Sequence, residues 1–398
     1  MITQICNDII FNSFSILGRE YCGQHMIAVE DPTDIDKSRI HCPLDSKHTV
    51  FKYNLEKHLK ICNSRKSENV AVYIKERINN PTVFENEEED FRLADVDEEV
   101  LKLLINKVED LYAKHCEGKI DNLILEHEVL DDELKTPSYG PQALKHLKQT
   151  SSILGILKHE GLLQPQTCFI EYGAGKGIIS YWLAKSIESL KDSKVILLDR
   201  ASHRHKKDNK IDDPNVSERI KTDIADFDLK NFDRLDNCKD IVGVSKHLCG
   251  AATDLTLRCI VQGNNNENVK TKGILVCVCC HHQCQWNNFV GTQFFLDNGF
   301  DQKAFKIIIK MVSWCVCGDG LSRDARAHKL KTDDQTEAIK EGKMDRKRKE
   351  EIGWKCKRII DYARMAYMED NNYEASMKIY TEKSITLENL CLIGKYKN

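Results

Sequence analysis

Five short candidate strands between residues 168 and 279, most of them apolar runs, constrain this chain more than any other feature. They are Cys168–Tyr172, Lys194–Leu198, Arg219–Lys221, Asp240–Ser245 and Gly273–Cys279, and the intervals between them fit crossover helices. A parallel strand pair needs a long connection, so short buried strands alternating with helical stretches predict a parallel sheet wound on both faces. The expected fold class is α/β and Rossmann-like. Residues 305–318 offer a sixth strand, and 351–398 return to helix with a last strand at Asn389–Gly394. Upstream, Leu101, Leu104, Val108, Leu111 and Tyr112 recur at spacings of three and four, which predicts an amphipathic helix from Val100. Pro137, Gly140 and Pro141 punctuate the chain before a second helix over about 142–160.

The first of these strands runs into Glu171-Tyr172-Gly173-Ala174-Gly175-Lys176-Gly177, ahead of a helix expected over Ile178–Ser189. Glycines serve where the chain turns tightly and a ligand approaches the backbone. The G-x-G-x-G spacing differs from the dinucleotide pattern G-x-G-x-x-G. The acid Glu171 at the strand end is a poor neighbour for a pyrophosphate on a helix N-terminus, and a good one for amino and sulfonium groups. S-adenosylmethionine is therefore favoured over a nicotinamide dinucleotide, held by Glu171, Gly173, Gly175 and Gly177. Asp199 ends the second strand about twenty residues on, where an acid accepts hydrogen bonds from ribose hydroxyls. Asp223 ends the third strand and is placed to face the adenine.

Ligands of open α/β sheets meet the carboxyl ends of the strands. The fourth and fifth ends read Ser245-Lys246-His247-Leu248-Cys249-Gly250 and Cys279-Cys280-His281-His282-Gln283-Cys284. Four uses compete there. Lys246, His247, His281 or His282 can accept a proton from a hydroxyl under attack. Cys249 or Cys280 can act as a covalent nucleophile. Cys279, Cys280, His281, His282 and Cys284 can ligate a metal, although neighbours on a strand alternate faces, which works against one tetrahedral site. The fourth use is packing, since small thiols fill cores well. The base or orienting role is preferred, with Lys246, His247 and His282 as candidates.

Residues 1–66 are rich in Cys and His and lack long apolar periodicity, so a metal has to organise them. Cys42, His48, His58 and Cys62 give C-x5-H-x9-H-x3-C, with the last pair four apart on a helix expected over Lys52–Ile61. Four such ligands match closed, structural zinc. Cys6, Cys22 and His25 supply three ligands for a second site, with His41 as a possible fourth. The chain has 17 cysteines in 398 residues and no basic segment feeding an apolar one at its start. Reduced thiols and metal ligation are expected rather than disulfides, in the cytoplasm or nucleus. No apolar run reaches the ~18 residues of a membrane helix. The net charge of −3 decides nothing about nucleic acid, but Arg200, His203, Arg204, His205, Lys206, Lys207 and Lys210 cluster at the sheet's ligand edge, where phosphates can bind. The acidic run 85–99 reads as a linker or helix start, and the basic run 346–349 as a solvated helical face.

These residues resemble the eukaryotic tRNA 2′-O-methyltransferases that modify nucleotide 4 of the acceptor stem. The carrying segments are CGQH (22–25), CPLDSKH…H…C (42–62), IEYGAGKG (170–177), LLDRASHRHKKD (197–208), DIADFDL (223–229), SKHLCGAATDLTLRC (245–259), CCHHQCQW (279–286) and EIGWKCKRIID (351–361). The resemblance implies a CCCH-type and a CHHC-type zinc element joined to a class I S-adenosylmethionine-dependent methyltransferase domain. On that reading 1–30 is a partial CCCH element, 38–66 the CHHC finger, 67–140 a linker and helical region, and 141–398 the methyltransferase domain. The first element departs from the family pattern, because Cys22 and His25 match and the upstream cysteines do not. The implied partner is the tRNA acceptor stem. In A-form RNA the 2′-hydroxyls line the wide, shallow minor groove, and DNA lacks the acceptor atom. Two other readings compete: an RNA base methyltransferase with a cysteine nucleophile, and an inert, zinc-dependent RNA-binding protein.

Overall fold

The computed structural model describes residues 39–62, 71–80, 91–203, 205–264, 270–316 and 344–397. The chain forms two compact units, 1–70 and 71–398.

In the first unit β1 (Arg39–Cys42) and β2 (Asp45–Phe51) pair antiparallel, with Arg39 opposite Phe51. The Arg39 guanidinium lies 4.6 Å from the Phe51 ring centroid and donates to the Thr49 carbonyl at 2.7 Å. A 3₁₀ turn over Lys52–Asn54 occupies the start of the expected helix, and α1 spans Leu55–Ile61. Among the described residues of this unit, only Cys42, Val50 and Cys62 are buried apolar groups. That is too little to hold a fold by burial alone.

The second unit opens its regular structure with α2 (Glu98–His115). The Asp97 side chain caps it by accepting from the Glu99 and Val100 amides, and Leu104, Ile105, Val108 and Leu111 form its buried face. A two-residue strand, β3 (Asp121–Asn122), precedes α3 (Pro141–His159), which has proline at its first position. The sheet strands follow: β4 (Thr167–Tyr172), β5 (Lys194–Asp199), β6 (Ser217–Lys221), β7 (Asp240–Cys249), β8 (Lys270–Cys279), β9 (Tyr373–Ile379) and β10 (Leu390–Tyr396). Helix α4 (Ile178–Ser186) follows β4, α5 (Ala251–Gly263) follows β7, and α6 (Gln302–Val316) and α7 (Arg346–Asp370) lie between β8 and β9.

The strand order is β3-β9-β10-β8-β7-β4-β5-β6. The five strands expected from the sequence form a continuous parallel block, β8-β7-β4-β5-β6. Alternate residues feed the two faces. Ile170, Tyr172, Ile196 and Leu198 enter one apolar cluster, and Phe169, Val195, Leu197 and Val242 enter the other. The chain runs outward from β4 through β5 to β6, then returns to place β7 on the other flank of β4. The order thus reverses at β4, and the crevice beyond its carboxyl end is where ligands of such sheets bind.

The sixth strand expected over 305–318 is not formed by the described residues 305–316. They lie in α6, where Ile308, Met311, Val312 and Cys315 are buried at helical spacing, and 317 and 318 lie outside the described residues. The β-branched run Ile307-Ile308-Ile309 suggests a strand by composition, but packing on α7 decides. A Cβ at Gly353 of α7 would lie 3.0 Å from the Met311 carbonyl and 2.9 Å from the Cys315 amide, so glycine lets the two backbones meet. The sheet is also mixed rather than wholly parallel. Strand β10 covers the expected last strand and is antiparallel to both β8 and β9.

Candidate functional site

The loop after β4 holds Gly173, Gly175 and Gly177 at φ of 69°, 52° and 69°, a conformation that favours glycine. A Cβ at Gly173 would strike Leu248 Cδ2 at 2.5 Å, and one at Gly177 would strike Asp208 Oδ1 at 2.6 Å. At Gly175 the nearest atom would be the Gly173 carbonyl, 4.0 Å away. The loop is therefore packed tightly at its ends and open at its centre. The Gly175 amide donates to Asp199 Oδ2 at 2.7 Å, and the Ala201 amide donates to Oδ1 at 2.8 Å. Asp199 thereby ties the end of β5 to the glycine loop, while His203 Nε2 stands 3.2 Å from Oδ2.

Asp223 does not end its strand: β6 stops at Lys221, and Asp223 lies two residues beyond it, at the start of the turn Ile224–Asp226. Its Oδ1 caps the following turn by accepting from the Ala225 amide at 3.0 Å, and Arg200 Nη1 lies 3.8 Å from its Oδ2. Glu171 is buried, and its Oε2 accepts from the Ser180 amide at 2.9 Å and from the Ser180 hydroxyl. Burial pushes this carboxyl up to about 7, against the pull of both Ser180 hydrogen bonds. Two left-handed glycines whose Cβ positions are taken, an open centre and carboxylates on adjacent strand ends fit an S-adenosylmethionine cradle. Glu171, Gly173, Gly175, Gly177, Asp199 and Asp223 are the groups that would line or brace it.

The end of β7 lies against this loop through the Leu248 contact. The β7–β8 register shifts between Lys246 and Leu248, and His247 sits at φ 64° within that bulge. A bulge re-aims side chains at a strand end. Lys246 Nζ lies 3.4 Å from His146 Nδ1 of α3. Burial pulls the Lys246 ammonium down to about 8, against the opposing pull of the Glu171 carboxyl. His247 and His282 are both exposed. His146 was not a sequence candidate. No local spacing joins positions 146 and 246, and only the packing of α3 on the sheet brings them together.

His281 is placed elsewhere. It is buried, with Nε2 2.6 Å from Asp361 Oδ1. Asp361 also meets Arg364 Nη1 at 3.3 Å, and Arg364 binds Asp254 through two bonds of 3.0 and 2.7 Å. Cys284 contacts Arg364 Nη2 at 3.1 Å, so His281 and Cys284 belong to a buried ionic network rather than to the metal set considered for this segment. Cys279 and Cys280 do not alternate as strand neighbours either. The strand stops at Cys279, and Cys280 turns into the left-handed region at φ 48°.

The basic run after Asp199 is partly committed internally. Lys207 Nζ lies 4.5 Å from the Tyr181 ring centroid and 3.8 Å from Glu133, and Arg200 faces Asp223. His205 and Lys210 are exposed, and Arg204 lies outside the described residues.

In the first unit the four expected ligands converge. Cys42 Sγ is 3.7 Å from Cys62 Sγ and 3.2 Å from His58 Nε2. His48 Nε2 is 3.1 Å from His58 Nε2 and 3.6 Å from Cys62 Sγ. Metal bonds of about 2.0–2.3 Å in a tetrahedron require ligand separations of this size, so the set fits zinc. Cys6, Cys22 and His25 lie outside the described residues.

Residues 148–395 match the family model described as methyltransferase TRM13, and residues 39–63 match the U11-48K-like CHHC zinc finger. The chain belongs to the TRM13 methyltransferase family. Relatives called "tRNA:m(4)X modification enzyme TRM13 homolog" from Homo sapiens and Mus musculus are 33% and 32% identical to it. Each alignment covers 94% of this chain, with 90% of the human and 89% of the mouse relative. The Saccharomyces cerevisiae TRM13 is 28% identical, over 94% of this chain and 90% of its own. A solved Podospora anserina methyltransferase aligns at 11% identity and a TM-score of 0.32, over 79% of this chain and 100% of its own. The family resemblance expected from CHHC, IEYGAGKG and SKHLCGAATDL is thus borne out, with the TRM13 match beginning inside α3.

Proposed function

We infer that this protein is a zinc-containing, S-adenosylmethionine-dependent tRNA methyltransferase that acts on the ribose 2′-hydroxyl of nucleotide 4 in the acceptor stem. The observation that carries this reading is the TRM13 match over the sheet that bears the glycine cradle, joined in one chain to a CHHC finger match at 39–63. When bound, S-adenosylmethionine supplies an electrophilic methyl group for an in-line displacement, a reaction helped mainly by orientation. Gly175, Asp199 and Asp223 position the donor from the β4, β5 and β6 ends. Lys246 stands on the opposite flank of β4 as the proposed proton acceptor, because its lowered affinity for a proton leaves part of the population neutral near pH 8. His247 and His282, exposed at the ends of β7 and β8, are the proposed groups that orient the acceptor ribose. The proposed compartment is the cytoplasm or nucleus. Among the described residues no helix is long and apolar enough to cross a membrane.

The test is methyl incorporation into tRNA with the position mapped by nucleoside mass spectrometry. Incorporation at nucleotide 4 that disappears when its 2′-hydroxyl is replaced by hydrogen supports the reading. Incorporation that survives the replacement moves the chemistry to the base.

A further inference from the structure

A second set of metal-ligating side chains lies at the carboxyl ends of β7 and β8. Cys249 Sγ is 3.1 Å from Cys280 Sγ and 3.8 Å from Cys279 Sγ, and all three sulfurs lie within 4.8 Å of one another. These separations exceed a disulfide bond of about 2.05 Å. The 3.8 Å Cys249–Cys279 pair is close to the 3.7 Å between the two sulfurs of the CHHC set. Among the described residues these are the two groups of three or more His, Cys, Asp or Glu donors that converge on one point.

The backbone is shaped to make the cluster. Cys249 pairs with Cys279 in the β7–β8 ladder, which brings two sulfurs together across the strands. Cys280 contributes the third by adopting φ 48° and ψ 40°, a conformation unfavourable for a residue with a Cβ. Gly250, at φ 57° and ψ −127°, passes so close to the next loop that a Cβ would lie 2.6 Å from the Gln283 carbonyl. Cys249 is exposed and Cys280 half-buried, so an ion can enter from solvent.

We propose that Cys249, Cys279 and Cys280 bind a thiophilic divalent metal ion, zinc or an ion of its class. Three thiolates suit such an ion, and they leave one tetrahedral corner for water or another oxygen or nitrogen donor. Binding displaces the thiol protons to solvent and involves no redox change. The ion would fix the loop after β7 to the loop after β8, next to Lys246, His247 and His282. This proposal stands independently of the methyl-transfer reading, because its tests count metal and thiols rather than turnover.

The experiment uses the full chain, purified without chelator and loaded with zinc. Mass spectrometry of metal content should give about one zinc fewer in Cys249→Ser/Cys280→Ser than in wild type. The CHHC ligands are present in both proteins and cancel in the difference. Because that variant can misfold, the unmodified chain is also alkylated with iodoacetamide and its peptides mapped. Cys249 and Cys280 should be protected in zinc and labelled after zinc removal, with Cys42 and Cys62 as the internal standard. Equal labelling of Cys249 and Cys280 in both conditions overturns the site. So does a Cys249–Cys280 disulfide in the purified protein, or equal zinc content in the variant and wild type.

Discussion

Lys246 on β7 and His146 on α3 are 100 residues apart in sequence, yet Nζ and Nδ1 stand 3.4 Å from each other. With burial pulling Lys246 down to about 8, kcat/KM for methyl transfer should rise with pH and level off above that value. Lys246→Ala and Lys246→Arg should lose the rising limb and about 10²–10⁴-fold in rate. His146→Ala admits water beside the ammonium and should move the limb to higher pH. Single-turnover rates across the pH range check all three. A flat wild-type profile would remove Lys246 from the proton-accepting role.

Gly173 and Gly175 separate two costs. Gly173→Ala meets both a left-handed φ and Leu248 Cδ2 at 2.5 Å, whereas Gly175→Ala meets the conformational cost with no nearer atom than 4.0 Å. Gly175→Ala should lower stability by about 1–2 kcal/mol, and Gly173→Ala by more. Adding Leu248→Ala to Gly173→Ala should recover part of the excess. Urea unfolding resolves the series, and equal losses for the two glycine variants would refute the packing argument.

Glu171 gives a pH dependence of stability. Its folded-state pKa is raised to about 7 by burial, so the folded protein binds more protons than the unfolded chain between about pH 4.5 and 7. Stability from this residue is present below that window and is lost as pH rises through it. The loss amounts to about 3 kcal/mol at most. Glu171→Gln should flatten this component, so its stability relative to wild type should improve from pH 5 to pH 7.5. The same relative stability at both values would contradict the assignment.

Arg364 is fully buried between Asp254 and Asp361. Asp254→Ala leaves the guanidinium without its bidentate partner and should cost about 3–5 kcal/mol. Asp254→Ala/Arg364→Met should be less destabilised than Asp254→Ala. Chemical denaturation of the two variants tests this, and a cost below 1 kcal/mol for the single change would argue against the network's importance.

The CHHC unit should depend on its ion. Cys62→Ser should lose about one zinc per chain, and amides of residues 39–62 should lose protection from hydrogen exchange. Protection retained without metal would show that Val50 and its neighbours suffice to fold the unit.

Four of the five parallel strands, β4, β5, β7 and β8, were legible because their apolar runs are short, separated and bounded by acids or glycines; β6, with Ile220 as its one apolar residue, was legible only from its place in the alternation. The zinc ligands were legible because their spacing is local. Residues 305–318 misled because Ile307-Ile308-Ile309 suits a strand as well as a helix, and only the glycine contact at Gly353 marks the helix crossing. Strand β9 was missed because Tyr-Glu-Ala-Ser-Met-Lys-Ile shows little apolar alternation; its partners β10 and β3 impose the pairing. Strand-end position singled out Lys246, His247 and Asp199 as candidates, but it said nothing about His146. The alternation argument failed at Cys279-Cys280 because the strand stops between them. Sequence pattern reports which residues are near a sheet edge, and only backbone torsions report how they turn there.

Strand β10 sits between β8 and β9, with Cys391 opposite Cys277 on one side and Lys378 on the other. During synthesis β8 therefore waits for residues 390–396 before its outer backbone groups find their final partners. Until then it presents an open, apolar strand edge, Gly273 to Cys279, of the kind that pairs with other chains. A nascent chain of this protein should thus lean on a chaperone until that late strand slots in, and substitutions in 390–396 should show first as poor yield rather than poor catalysis.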